Sequence, residues 1–358
     1  MSTRKKVIFS LVFLILLFAA AELILSTLIK EDSSTIFKNK DLGQWTLTPN
    51  TSKIYTSVKV TTNSLGLRSD EISPVKLPGE KRLIIFGDSS IFGDGVEQPD
   101  TFSSVLERLL NARGTGIRYR VVNAGVPGHT TYHSIELLKA LAKTIKPDMV
   151  LVVNMNSDCI ISLMKEKEIL AVGSGVKTAL RISRSYSSIE RAIINMRRKY
   201  FHKSEPGPRV PEPEYMANLK IFHSLAKKNA AGIIYIAPPN PMDIYSGNEL
   251  QEFIYSSIDP ARLRNEKQKG KTEVSVRYGN LNHYRNLSRY IPAYRKIMKE
   301  TADKIGAAYL SLGEVFTGYH ARHPDEKLFN DEVHPSTIGH RIIAEEIYAF
   351  LGKNKLLQ

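Results

Sequence analysis

The sequence predicts a three-layer α/β/α fold with a mainly parallel five-stranded sheet, preceded by an N-terminal transmembrane helix. Three observations predict it. From residue 82 to residue 351, short apolar runs alternate with segments of helical period, the rhythm of a parallel sheet covered on both faces. The run Asp148 to Val153 is continuously apolar after its first residue, as a strand buried on both sides requires. The first thirty residues hold one long apolar stretch behind three cations.

Taken in order, Arg4-Lys5-Lys6 precede residues 7–29, in which Glu22 is the only charge. A helix needs about 20 residues to cross a bilayer, and this stretch is long enough. The basic flank is expected to stay in the cytoplasm, which places the rest in the periplasm or outside the cell. A cleaved signal peptide ending at Ala19-Ala20-Ala21 is the competing reading. The apolar run continues through Leu23-Ile24-Leu25, which favours an uncleaved single-pass anchor. The chain thus divides into a tip and anchor (1–30), a stalk and lead-in segment (31–80) and the main domain (81–358).

Thr51 to Thr62 is rich in Ser, Thr, Val and Tyr and suits one or two short strands. The turn NSLGLRSDE at 63–71 carries Arg68, expected to form a salt bridge within the fold. The alternation then starts with a strand at Arg82–Phe86. A helix follows at Thr101–Ala112, where Phe102, Val105, Leu106, Leu109 and Leu110 share a face and Asp100 is the expected N-cap. Next come a strand at Tyr119–Asn123, a helix at Thr131–Ile145 and the strand at Asp148–Val153. A helix at Tyr215–Asn229, a strand at Gly232–Ala237 and a helix at Tyr294–Lys304 follow. A short strand at Ala307–Ser311 and a helix from about Ser336 to Leu351 close the chain. Insertions at about 157–214 and 240–290 break the rhythm and are candidates for a lid or specificity loop.

Hydrophobic content of 42% and charge of 24% are globular values. The net charge of +14 favours anionic surfaces such as lipid head groups or acidic glycans. No helix-turn-helix, zinc-finger or RNP pattern accompanies it, so nucleic acid is not an expected partner. Much of the excess sits between 165 and 203 and reads as a solvated face near the membrane. The single cysteine, Cys159, excludes a disulfide within the chain and is expected to be buried and apolar in role.

The stretch IIFGDSSIFGDGV at 84–96 empties an apolar strand into a glycine, an acid and two hydroxyls. It could be a phosphate loop, a plain turn or the seat of a nucleophile. A phosphate loop needs a lysine, and here Asp88, Asp94 and Glu97 would repel anions. A nucleophile fits better, because a serine just past a strand is exposed on rigid backbone. Ser89 then needs a base and the base an orienting group. FNDEVHPSTIGH supplies His334 and, three residues earlier, Asp331. Acyl transfer also needs oxyanion donors. Candidates are the Ser89 N–H, the backbone at Gly125, and the carboxamide of Asn156 or, behind it, Asn154. Without Asp331 and His334, a helix cap would be the default reading of Ser89. Asp94 reads as a loop acid. His129 and His133 have the i, i+4 spacing of a zinc pair but no accompanying Glu, and His320 and His323 lack a partner cluster, so no metal is expected. Tyr132, Asn240 and Phe329 are candidates to line a pocket.

In these blocks the sequence resembles the SGNH/GDSL hydrolases. Gly87-Asp88-Ser89 matches the first block, Asn123-Ala124-Gly125 with Gly128 the second, and Asp331-Glu332-Val333-His334-Pro335 the last. The third block usually reads Gly-x-Asn-Asp; here it reads Asn154-Met155-Asn156-Ser157, with Asp158 displaced by one. The resemblance covers about 80–350 and implies a flavodoxin-like sheet. It implies Ser89 as nucleophile, His334 as base and acid, and Asp331 as its orienter. The oxyanion hole would be the Ser89 and Gly125 N–H groups with an Asn side chain, and no metal or organic cofactor is implied. The anchor and NSLGLRSDE look like exported bacterial members, some of which act on acetyl groups of exopolysaccharides.

The expected function is that of a serine esterase or deacylase acting on O-acyl esters, O-acetyl above all, of a cell-envelope glycan. An O-acyltransferase using the same triad, a lipid esterase, and a non-catalytic glycan- or envelope-binding module are the alternatives.

Overall fold

The structure, a computed structural model, describes residues 3–28, 36–38, 45–114, 116–162, 165–171, 196, 206–258 and 260–356. Five strands form the central sheet: β1 (Glu80–Gly87), β2 (Arg118–Gly125), β3 (Met149–Val152), β4 (Gly232–Ala237) and β5 (Ala308–Ser311). Their order is β5-β4-β3-β1-β2, and every pairing is parallel. From β1 the chain steps outward to β2, then crosses back to β3. The carboxyl ends of strands at such a reversal open a crevice for ligands. Gly87 to Ser90 leave β1 at that point.

The period of two along each strand builds two cores. Ile84, Phe86, Val150 and Val152 face one side, against helices α2 (Thr131–Ile145), α3 (Glu212–Lys228) and α4 (Ile291–Ile305). Leu83, Ile85 and Leu151 face the other, against α1 (Phe102–Asn111) and α5 (Thr337–Lys353). Helix α1 buries Phe102, Leu106 and Leu110 completely, with Val105 and Leu109 at the margin. Truncating Phe102 to alanine would cost about 3–5 kcal/mol. The N-cap of α1 is Thr101, not Asp100: Asp100 belongs to a 3₁₀ turn at Gln98–Asp100, so the helix opens one residue later. Cys159 is fully buried.

Strand β2 is one edge of the sheet, and its outward N–H groups are capped by side chains. Tyr119 N–H donates to Asn111 at 2.9 Å, Val121 N–H to Glu107 at 2.7 Å and Asn123 N–H to Ser69 at 2.7 Å. An edge closed in this way offers no template to another chain.

The lead-in segment, where it is described, packs against the sheet domain. Ser52–Tyr55 and Val58–Thr61 pair antiparallel around Thr56 and Ser57, both at positive φ (45° and 72°), the two-residue turn whose twist suits a hairpin. Ile36, Phe37, Leu47, Val58 and Val60 pack on Phe92 and Val126. Leu67 and Ile72 enter the main core. These contacts pack the described part of residues 36–72 on the main core. The polar segment 240–290 folds into helices at Gly247–Ser256, Pro260–Gln268 and Glu273–Ser288. Most of the basic insertion, 172–195 and 197–205, lies outside the described residues. At the N-terminus, Thr3–Leu28 is one helix. Its span Lys5–Ile24, 20 residues of mean hydropathy 2.8, is long and apolar enough to cross a membrane.

Candidate active site

The chain leaves β1 through a turn that only glycine permits. A Cβ on Gly87 would meet the Ile91 side chain at 2.2 Å, because Ser89–Phe92 folds straight back as one helical turn. Asp88 caps that turn: its Oδ1 accepts from the Ser90 N–H at 3.1 Å and the Ser90 hydroxyl at 2.7 Å. Gly93, at φ 88°, ends the turn in the left-handed region that favours glycine. Ser89 is half-buried at the rim, while Ser90 is 3% exposed with its hydroxyl committed to Asp88.

The far end of the chain arrives on the same rim. Asn330 N–H donates to the His334 carbonyl at 2.8 Å, and Phe329 bridges Pro335, closing a tight loop. Within it, Asp331 Oδ1 accepts the Val333 and His334 N–H groups, each at 3.0 Å. Asp331 Oδ2 is left for His334 Nδ1, at 2.7 Å. His334 Nε2 in turn lies 2.7 Å from Ser89 Oγ, across 245 residues of sequence. Proline at 335 has no N–H to satisfy, and α5 starts at once with Ser336 as its N-cap. Burial alone would lower the His334 imidazole; the Asp331 carboxylate, with Asp94 and Asp88 behind it, raises it instead to about 9. Burial pushes Asp331 up, but the His334 charge and hydrogen bond and two backbone N–H donors bring it below the usual carboxylate range.

The oxyanion candidates fare differently. Gly125 sits under the Ser89 turn because any Cβ there would meet Phe92 N at 2.6 Å. Its N–H donates to Asn123 Oδ1 at 2.9 Å, so that N–H is committed within the fold and Gly125 serves close packing. Gly128, three residues on at φ 79° and half-buried, has a backbone N–H with no acceptor among the described residues. Asn156 is 5% exposed, yet neither polar atom of its side chain has a partner among the described residues. Asn154 is fully buried, its Nδ2 3.5 Å from the His129 carbonyl and its own carbonyl taken by Tyr215 at 2.7 Å. Asp88 Oδ2 accepts the Ser157 N–H at 2.9 Å and so ties the Asn156 segment to the Ser89 turn.

Two further groups stand at the rim. Asp94 Oδ2 lies 3.8 Å from His334 Nε2, and Thr56 of the lead-in hairpin donates to Asp94 Oδ1. The signal for Asp94 was its place between two glycines just past Ser89; nothing in residues 51–62 indicated Thr56. Arg68 forms no salt bridge among the described residues but donates to the carbonyls of Phe92, Gly93 and Val96 at 3.0, 2.7 and 2.6 Å, fixing the loop that carries Asp94. Burial makes the three carbonyls, rather than a carboxylate, its counterpart.

The remaining candidates make contacts within the fold. His129 and His133 stack at 4.8 Å, with Trp45 4.7 Å from His133. Tyr132 donates to Glu214, Asn240 is held by Tyr284, and Phe329 is buried against Phe316. His320 packs on Tyr245 and His323 on Tyr319.

Residues 83–347 match the sequence profile of the GDSL-like lipase/acylhydrolase family. Among solved structures, the chain is similar to an α/β hydrolase enzyme from the metagenome of Lake Arreo, Spain, at 17% identity and TM-score 0.45, over 80% of this chain and 100% of that one. It is similar to an acetyl xylan esterase at 16% identity and TM-score 0.42, over 75% and 99%. A catalytic mutant of an acetylxylan esterase from Geobacillus stearothermophilus gives 20% identity and TM-score 0.40, over 77% and 95%. No curated protein matches the chain. The profile covers most of the sequence, including both the Ser89 turn and the His334 loop: the chain belongs to the GDSL-like lipase/acylhydrolase family and is an ester hydrolase of the SGNH type.

Proposed function

We propose that the protein is a membrane-anchored serine esterase that removes O-acyl groups, acetyl foremost, from a cell-envelope glycan. The observation that carries this reading is the unbroken chain of contacts from Asp331 Oδ2 to His334 and on to Ser89 Oγ, both links at 2.7 Å. Such a relay is what an activated serine requires. The N-terminal helix supports the anchored placement, with the basic flank cytoplasmic and the domain beyond it periplasmic or extracellular. The domain so placed is 45–358, with the lead-in segment included.

Ser89 Oγ attacks the acyl carbon while its proton passes to His334 Nε2. The oxyanion takes the Ser89 N–H, the Asn156 carboxamide and the Gly128 N–H, the last in place of Gly125. The bond from acyl carbon to alcohol oxygen breaks, and His334 returns the proton to that oxygen. Water then adds to the acyl-enzyme, with His334 as base. Asp331 holds Nδ1 as the proton donor to its carboxylate, so that Nε2 faces Ser89.

A sugar hydroxyl in place of water makes the same site an acyltransferase. Incubating the purified protein with a chromogenic acetyl ester, with and without a glycan acceptor, tests the reading. Free acetate as the main product in both cases supports the esterase. Quantitative acyl transfer to the acceptor replaces it with an acyltransferase. Absence of turnover by wild type overturns both in favour of a binding module, and turnover of long-chain lipid esters alone favours a lipid esterase.

A further inference from the structure

His334 Nε2 hands its proton to the departing alcohol, so that alcohol must come within about 3 Å of Nε2. Asp94 Oδ2 lies 3.8 Å from the same nitrogen. The alcohol half of the ester therefore sits against this carboxylate. The Asp94 side chain is only 10% exposed, and its other oxygen is occupied by the Thr56 hydroxyl. Oδ2 is thus the oxygen with acceptor capacity to spare, and it opens on the reacting atoms. Arg68 keeps it there by gripping the carbonyls on both sides of Asp94.

The placement is costly unless something uses it. A carboxylate screened from water beside an imidazole competes with Ser89 for the imidazolium proton and repels any anion entering the site. It gains when the incoming group carries hydrogen-bond donors, because bonds to a charged acceptor are the strong ones. A site built to bind a hydroxyl also rejects the analogue that lacks it, since its own acceptor is then left unfilled.

We propose that Asp94 is a specificity-determining residue whose Oδ2 accepts a hydrogen bond from a hydroxyl of the substrate adjacent to the ester-bearing carbon, selecting esters of neutral polyols over simple or anionic alcohols. The inference rests on the esterase reading above and names the substrate class of that same site. Thr56 and Arg68 position the carboxylate. Both lie upstream of residues 83–347, so the lead-in segment positions a carboxylate that the family-matched part of the chain carries.

The test compares kcat/KM for two monoacetylated methyl glycosides, one with a free hydroxyl next to the ester and one with that hydroxyl methylated. p-Nitrophenyl acetate serves as the reference ester. In wild type the free-hydroxyl substrate is preferred on the order of 10- to 100-fold, the range of a hydrogen bond to a charged group. Asp94→Ala brings the ratio to about 1, Asp94→Asn leaves a smaller preference, and Thr56→Val lowers it in part. The ratio is internal to each preparation, so loss of folded protein does not move it. A second readout is the acid limb of kcat/KM. Asp331, Asp94 and Asp88 all raise His334, so Asp94→Asn moves the limb to lower pH while Asp331 still holds it above the free-imidazole value. An unchanged ratio in Asp94→Ala, with p-nitrophenyl acetate still hydrolysed, overturns the assignment of Asp94 alone. No turnover of any of the three esters by wild type overturns the esterase reading and this inference with it.

Discussion

Asp88 binds Ser157 across the top of the sheet: its Oδ2 accepts the Ser157 N–H at 2.9 Å while Oδ1 caps the Ser89 turn. One carboxylate thereby fixes the distance between the Ser89 hydroxyl and the neighbouring Asn156 carboxamide. Asp88→Ala strands the buried Ser157 and Ser90 N–H groups, a loss of about 1–3 kcal/mol. Activity should fall further than that stability change explains. Asp88→Asn keeps one acceptor and should keep more stability than activity. Thermal melts paired with kcat measurements separate the two effects.

Arg68 anchors the loop that follows the Ser89 turn. Arg68→Ala leaves the carbonyls of Phe92, Gly93 and Val96 without their donor and should destabilise the fold by about 2–4 kcal/mol. Arg68→Lys should recover only part, because one ammonium cannot span three carbonyls in this geometry. Urea unfolding of the three proteins ranks them. Equal midpoints would show that the loop is held by its other contacts.

The proposed base titrates upward. His334 acts as base only when neutral, so kcat/KM should rise with pH through a limb displaced from the ordinary 6.5 toward about 9. Asp331→Asn should lower kcat and move that limb to lower pH, since the largest raising influence is gone. Stability carries the matching sign. The stabilisation from His334 is complete below 6.5 and is lost as pH rises from there through about 9. That from Asp331 is present above 3.8 and is lost as pH falls through its lower folded value. A pH–rate profile combined with melts at fixed ionic strength checks both signs.

Asn156 and Asn154 should separate by kinetics. Removing one oxyanion donor costs on the order of 10²–10³ in kcat, so Asn156→Ala should lose that much with KM little changed. Asn154→Ala should lose mainly stability, because its side chain is fully enclosed and its Nδ2 faces the His129 carbonyl at 3.5 Å. Gly128→Ala should also lose activity: its φ of 79° strains any Cβ, which would meet Trp45 at 3.1 Å.

Much of this was legible in the residues because it depends on local pattern. Thr131–Ile145 and Gly232–Ala237 coincide with the expected elements, since their apolar spacing and burial agree. The five parallel strands follow from that same rhythm. Ser89, Asp331 and His334 could be singled out because hydroxyl, acid and imidazole stand at strand and helix ends. What could not be read was tertiary in origin. Gly125 looked like an exposed donor, but its N–H direction is set by Asn123 folding back beneath it. Residues 31–80 read as a stalk and lead-in segment; the packing of Ile36, Phe37, Leu47, Val58 and Val60 depends on Phe92 and Val126, distant in sequence. Arg68 invited a carboxylate partner, and only the closed loop at 92–96 reveals three carbonyls facing it. The helices at Pro260–Gln268 and Glu273–Ser288 carry too weak an apolar stripe to announce themselves.

Covalent catalysis by Ser89 is tested most directly by mass spectrometry of the protein after treatment with a serine-directed phosphonate. One adduct per chain is expected, located on Ser89 and not on Ser90, whose hydroxyl is tied to Asp88. The adduct should be absent in Ser89→Ala and form far more slowly in His334→Ala. An adduct on Ser90, or equal labelling of wild type and Ser89→Ala, would contradict catalysis by Ser89.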